Sequence, residues 1–149
     1  NIDSTYINKL YAKHTNENTV SIGELGIAKP QTHDYFVLSN GSTSVMAYYN
    51  PMTGRVSRVD KRHVMGIEPR NSEQTFAMHA LLNDDVKLMA LTGTAGTGKT
   101  LLALAAALEI AKGMGKRTIT VIPNGISVVI ARERAAQAVN LGTSGQNQI

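Results

Sequence analysis

Between Val86 and Lys112 the sequence passes from a short apolar run, through a glycine-rich octapeptide, into a helix with almost no polar face. Val86 to Leu91 has the length and composition of a buried strand. Next comes Gly93-Thr94-Ala95-Gly96-Thr97-Gly98-Lys99-Thr100, which matches G-x-x-x-x-G-K-[ST] at every fixed place. Leu101, Leu102, Leu104, Leu108 and Ile110, interleaved with five alanines, predict a helix from about Lys99 to Lys112, with Gly113 and Gly115 as its stop. A helix that is apolar all round finds its place in the interior of an α/β sandwich, covered on both sides.

The residue types in the octapeptide fit one chemistry. Glycine opens backbone angles closed to other residues and lets the main chain approach a phosphate closely. The N–H groups from Gly93 to Leu101 can then converge on an anion, and the following helix aims its positive end at the same place. Lys99 can set its ammonium against β- and γ-phosphates, and Thr100 can offer its hydroxyl to Mg²⁺. The binding set expected from the motif is therefore Gly93, Thr94, Ala95, Gly96, Thr97, Gly98, Lys99, Thr100 and Leu101. Lys99 and Thr100 do the charge work. The expected fold class is α/β, a RecA-like three-layer sandwich of the P-loop NTPase type.

A helix expected over Pro69 to Leu82, capped by Asn71 or Ser72, precedes the strand. It carries Gln74, nineteen positions before Gly93. A glutamine amide can donate to and accept from the N7/N6 edge of adenine, which would favour ATP. A solvated helix glutamine is the plainer alternative. Guanine selectivity would want a carboxylate, and no N-K-x-D motif occurs.

The first half of the chain has another character. Six of the seven Tyr and Phe residues precede residue 50, and Phe76 is the remaining one. Asp3 or Ser4 can cap a helix reaching about His14. Thr19 to Ile22, Tyr35 to Leu38, Ser44 to Tyr49 and Arg55 to Val59 read as strands, with turns at Asn40-Gly41 and Asn50 to Gly54. The shift in composition divides the chain into residues 1–65, a small antiparallel, barrel-like β module, and residues 66–149, a partial P-loop domain. In the second part Arg117 to Ile122 reads as another strand, ended by Pro123-Asn124-Gly125. Ile126 to Leu141 is a strand then a helix, or one helix. Gly142 to Ile149 is expected to fray.

Several classes are excluded or disfavoured. No cysteine is present, so disulfides, thiolate zinc sites and cysteine nucleophiles are out. No apolar run reaches the roughly 18 residues of a membrane helix. The start, Asn1-Ile2-Asp3, is no signal peptide and lacks an initiator Met, so a cytoplasmic chain cut or processed from something longer is expected. His14, His33, His63 and His79 show no metal-ligand spacing. The net charge of +4 is spread evenly: residues 1–65 hold seven Lys/Arg against five Asp/Glu, and residues 66–149 hold eight against six. That balance is compatible with nucleic acid without pointing to it. Lys61-Arg62-His63, beside a module bearing Tyr35, Phe36, Tyr48 and Tyr49, could form a stacking surface for single-stranded RNA, or be the edge of an ordinary β core.

Gly66-Ile67-Glu68-Pro69-Arg70-Asn71-Ser72-Glu73-Gln74, then Leu91-Thr92-Gly93 through Thr100, then Leu101 to Ala106, resembles the PhoH family of ATPases. The likeness is to the branch in which a PIN nuclease domain precedes the ATPase, and its specific part covers residues 66–109. Tyr35 to Val59 resembles, less sharply, the small β segment that joins the two domains in that branch, and Tyr6 to His14 resembles the helix before it. Asn71 to Gln74 is similar to the adenine-sensing Q-motif of related helicases. The resemblance implies ATP hydrolysis, Mg²⁺, and RNA binding or unwinding. There are departures. The PIN acidic pattern is absent, and Ile122 stands before Pro123 where the family usually shows Arg.

A P-loop ATPase also needs a second carboxylate-bearing strand. After Asp85 there is no aspartate, and the later acids are Glu109 and Glu133. Val128 to Glu133 looks only superficially like that strand, because Arg132 stands where the acid should begin. With two secure strands against about five in a complete sheet, the sandwich is expected to be incomplete, its open edges favouring homo-oligomers. The leading expectation is an ATP-binding chain that hydrolyses poorly or not at all. The alternatives are a non-catalytic nucleic-acid-binding module and a truncated fragment.

Overall fold

Asp3 opens the first element because its carboxylate accepts from the Thr5 amide at 2.8 Å, satisfying a donor the helix start would leave bare. Hydrogen bonds from Thr5 hold this carboxyl below the usual carboxylate range. The structure is a computed structural model and describes residues 1–12, 18–94, 96–114, 119–124, 127–132 and 147–148. The chain divides into two compact units, Asn1–Asp60 and Lys61–Ile149.

In the first unit, α1 (Ser4–Tyr11) stops where the Ala12 amide turns back to the Lys9 carbonyl, short of the expected His14. Residues 13–17 lie outside the described residues. Strands β1 (Thr19–Ser21), β2 (Tyr35–Ser39), β3 (Ser44–Asn50) and β4 (Arg55–Arg58) form an antiparallel sheet in the order β1-β4-β3-β2. Asn40 builds the β2–β3 turn. Its side-chain oxygen accepts from the Ser42 and Thr43 amides at 3.0 and 2.8 Å, while Gly41 takes φ +99°. The register then sets Leu38 opposite Val45 and Tyr49 opposite Val56. Ile7 and Leu10 of α1 close over Val20, Leu38, Val45, Ala47 and Val56. Among the described residues β1 and β2 are the two edges, so the sheet is open and not the expected barrel.

The aromatic side chains of this unit are largely spent on its own packing. Tyr48 is buried, Tyr35 packs on it at 5.1 Å between ring centroids, and His33 Nδ1 lies 2.8 Å from the Tyr48 hydroxyl. Burial, with Tyr48 adding to it, pushes the Tyr35 phenol well above its ordinary value. Tyr11 is the one exposed aromatic, with the Arg58 guanidinium 5.0 Å over its ring.

In the second unit, α2 (Ser72–Leu82) is capped by Asn71, one of the two expected caps, so Pro69 and Arg70 lie ahead of the helix. Strand β5 (Leu88–Thr92) leads to the glycine loop, and α3 (Lys99–Met114) leaves it. Val64, Met78, Leu81, Leu91, Leu102, Ile110 and the α3 residues Ala103, Ala105, Ala106 and Ala107 make the core. Strands β6 (Ile119–Asn124), β7 (Ser127–Arg132) and β8 (Asn147–Gln148) complete a sheet in the order β5-β7-β6-β8. Pro123 and Asn124 therefore belong to a strand and not to the expected turn. The helix considered after Ile126 lies outside the described residues beyond Arg132.

Two expectations are corrected here. Every described pairing in this sheet is antiparallel, whereas a RecA-like sandwich needs parallel neighbours around the loop strand. The helix is also not buried all round. Leu101, Leu104 and Leu108 are 53, 37 and 43% exposed, because α2 and the sheet cover only the opposite face of α3.

His79, on the last turn of α2, is partly buried, and burial lowers its pKa below the ordinary 6.5. The folded chain keeps this imidazole neutral at a pH where the unfolded chain already binds the proton. Its contribution to stability is therefore complete above the unfolded pKa and is lost as pH falls through the folded one. We expect the urea midpoint of the second unit to fall as the pH is lowered through the ordinary imidazole value of 6.5, and less so in His79→Gln. An unchanged pH slope in that variant would remove His79 as the cause.

Candidate functional site

The loop from Gly93 to Gly98 turns back on itself through three left-handed glycines, Gly93 (φ +152°), Gly96 (+81°) and Gly98 (+84°). At Gly93 the constraint is the backbone angle and not space. A Cβ there would stand 3.5 Å from Thr97 Oγ1 and 3.9 Å from Lys99 Cδ, on a backbone that L side chains rarely adopt. The Leu102 amide donates to the Gly98 carbonyl at 2.9 Å, so α3 begins as the loop ends. Its first amides have no intrahelical acceptor and face the loop with the helix's positive end.

Lys99 lies inside this arch. Its ammonium donates to the carbonyls of Gly93 at 2.9 Å and Thr94 at 2.6 Å, and to Thr97 Oγ1 at 3.2 Å. Thr97 Oγ1 in turn donates to the Thr94 carbonyl at 2.9 Å. A lysine has three donors, and each is matched to a loop oxygen. The result is one positive charge held by backbone at the start of a helix.

The expected residues fall as follows. Gly93, Thr94, Gly96, Thr97, Gly98 and Lys99 form the arch, and Thr100 and Leu101 are exposed on the first turn of α3. Ala95 lies outside the described residues. Gln74 is brought to the loop by α2: its Nε2 donates to the Thr97 carbonyl at 3.1 Å. Its Oε1 accepts from the Arg70 amide at 2.9 Å, and its own amide donates to Asn71 Oδ1 at 2.9 Å.

Two cavities adjoin the arch, and Gln74 lines both. The smaller, about 290 Å³, reaches Lys99, Thr97 and the end of β5. The larger, about 620 Å³, lies between Gly66–Arg70 and Leu101. Sequence reasoning missed the acids that reach them, Glu73 in the first and Glu68 in the second. Their nearness to Gln74 in sequence was the available signal.

The acids weighed for a second catalytic strand are not brought here. Glu109 lies about 15 Å along α3 from Lys99. It pairs with Arg62 at 3.4 Å and Lys112 at 3.8 Å. Antiparallel pairing sets Ser127 opposite Thr92 and Ala131 opposite Leu88, so Arg132 ends at the far end of β5 from the loop. Glu133 lies outside the described residues. No cluster of three His, Asp or Glu able to hold a metal occurs among the described residues, and no described helix is long and apolar enough to cross a membrane.

Residues 66–132 match the family described as PhoH-like protein. The chain is 34% identical over 113 residues to Protein PhoH2 of Bacillus subtilis, covering 72% of this chain and 25% of that protein. It is 43% identical over 63 residues to Protein PhoH2 of Mycolicibacterium smegmatis, covering 38% of this chain and 14% of that protein. It is 42% identical over 48 residues to Protein PhoH2 of Thermobispora bispora, covering 32% of this chain and 11% of that protein. The chain thus spans a quarter or less of the length of these relatives. No solved structure matches it. Through residues 66–132, where arch, bracing helix and following strands lie, the chain belongs to the PhoH family.

Proposed function

We propose that the second unit binds ATP with Mg²⁺ through the arch from Gly93 to Thr100. The observation that carries this reading is the Lys99 ammonium, held on the Gly93 and Thr94 carbonyls within an arch of left-handed glycines at the start of α3. Such an arrangement, a cation beside the first amides of a helix, suits the β- and γ-phosphates. Thr100, on the first helical turn, is the hydroxyl that would hold Mg²⁺, and the metal when bound offsets phosphate charge. The cavity of about 620 Å³ has room for the nucleoside part.

The strand–loop–helix order supports a P-loop NTPase setting. The antiparallel pairing of β5 with β7 is not that of a RecA-like sandwich, so the reading rests on the loop and not on the sheet. Hydrolysis by this chain is not part of the proposal, since Glu109 is paired elsewhere and β7 ends away from the loop. RNA enters as the partner that the resemblance implies. Exposed Tyr11 under Arg58 supports a single stacking contact, not a platform. The exposed leucines of α3 support self-association.

Displacement of a fluorescent ATP analogue tests the nucleotide reading. ATP and ADP are expected to compete, ATP more strongly with Mg²⁺ present, while adenosine does not. Equal displacement by adenosine, or no binding of the analogue, would sink it.

A further inference from the structure

We infer that Gln74 is a positioning residue for the phosphate loop, acting on Lys99 through Thr97. This rests on the reading of the arch as a triphosphate site.

The amide of Gln74 has a fixed orientation. The Arg70 N–H can only donate and the Thr97 carbonyl can only accept, so the oxygen must face the first and the nitrogen the second. Exchanging the two ends would oppose donor to donor and acceptor to acceptor. The amide keeps one further N–H and one further lone pair, so these two bonds fix its place on the loop without depending on a base.

Those bonds lead to the cation. Thr97 takes the Gln74 bond on its carbonyl, and its hydroxyl accepts from Lys99 and donates to the Thr94 carbonyl. The peptide that Gln74 holds is also the one entering left-handed Gly98, where an added Cβ would lie 3.5 Å from Gln74 Nε2. Asn71 fixes the other end of the strut by accepting from the Gln74 amide and capping α2. The path from the start of α2 to the ammonium is thus continuous in hydrogen bonds: Asn71, Gln74, Thr97, Lys99.

A strut on the loop and a reader of the base make opposite predictions for a ligand that has no base. The test measures binding of ATP, GTP and inorganic tripolyphosphate, each with Mg²⁺, to the full chain and to Gln74→Met, which keeps the length of the side chain and removes its hydrogen bonds. The expected result is a common loss of roughly five- to tenfold for all three ligands, the scale of one or two net hydrogen bonds. Thr97→Val is expected to show the same common loss, and Thr97→Ser, which restores the hydroxyl, to recover it. This rescue separates positioning from damage to the fold, which circular dichroism monitors in parallel. A loss confined to ATP, with tripolyphosphate unchanged, would make Gln74 a base reader and overturn the inference. Unchanged binding of all three by Gln74→Met would overturn it too. If the wild-type chain binds neither ATP nor tripolyphosphate, the triphosphate reading itself fails, and the inference with it.

Discussion

Lys99→Ala is expected to weaken ATP binding by about a hundredfold, or roughly 2.7 kcal/mol, measured by calorimetry or by displacement of a fluorescent analogue. Two effects add. Charge-assisted hydrogen bonds to phosphate contribute about 1.5–3 kcal/mol. The ammonium also bridges the Gly93 and Thr94 carbonyls and the Thr97 hydroxyl, so its removal unfastens the arch that presents the amides. Lys99→Arg should not restore binding, because a planar guanidinium on a differently shaped stem cannot reproduce three convergent bonds from one nitrogen. The fold should tolerate both changes, since Lys99 is outside the core cluster. A dissociation constant within threefold of wild type would contradict the role assigned to this lysine.

Leu10→Ala is expected to cost the first unit about 2–5 kcal/mol. Leu10 is 1% exposed, wedged by α1 over Val20, Leu38, Val45, Ala47 and Val56. A unit of this size buries a modest fraction of its surface, and a domain's whole stability is about 5–15 kcal/mol, so this one cavity could consume much of it. Composition supplies a selective probe: all five tyrosines lie in residues 1–60, and there is no tryptophan. Near-ultraviolet tyrosine signals therefore follow the first unit alone during urea unfolding. Leu10→Met, close in volume, should lose less than about 1.5 kcal/mol. A loss under about 0.5 kcal/mol in Leu10→Ala would mean that α1 does not seal this core.

What was legible in the sequence is what local chemistry decides. The caps at Asp3 and Asn71, the Asn40-Gly41 turn and the arch at Gly93 to Thr100 each rest on a few consecutive residues. The sense of the sheet around β5 was not legible. An apolar run of five residues reads alike whether its neighbour is parallel or antiparallel, and the neighbour is β7, more than thirty residues on. The exposed row Leu101, Leu104 and Leu108 was hidden for the same reason, since which sides of an all-apolar helix are covered depends on distant partners. Gln74 shows the limit most clearly. Its spacing from the loop suggested the right neighbourhood, but only its pairing with the Thr97 carbonyl and the Arg70 amide shows what the amide is bonded to.

The bonds that close the arch have a thermodynamic consequence. Lys99 and Gln74 already hold the backbone at Gly93, Thr94 and Thr97. A flexible glycine loop would lose conformational entropy when it wraps an anion, and that loss would subtract from affinity. Here most of it falls on folding. An arriving phosphate meets a loop already held in shape, and the binding free energy it spends goes instead into exchanging Lys99 bonds to loop oxygens for bonds to phosphate.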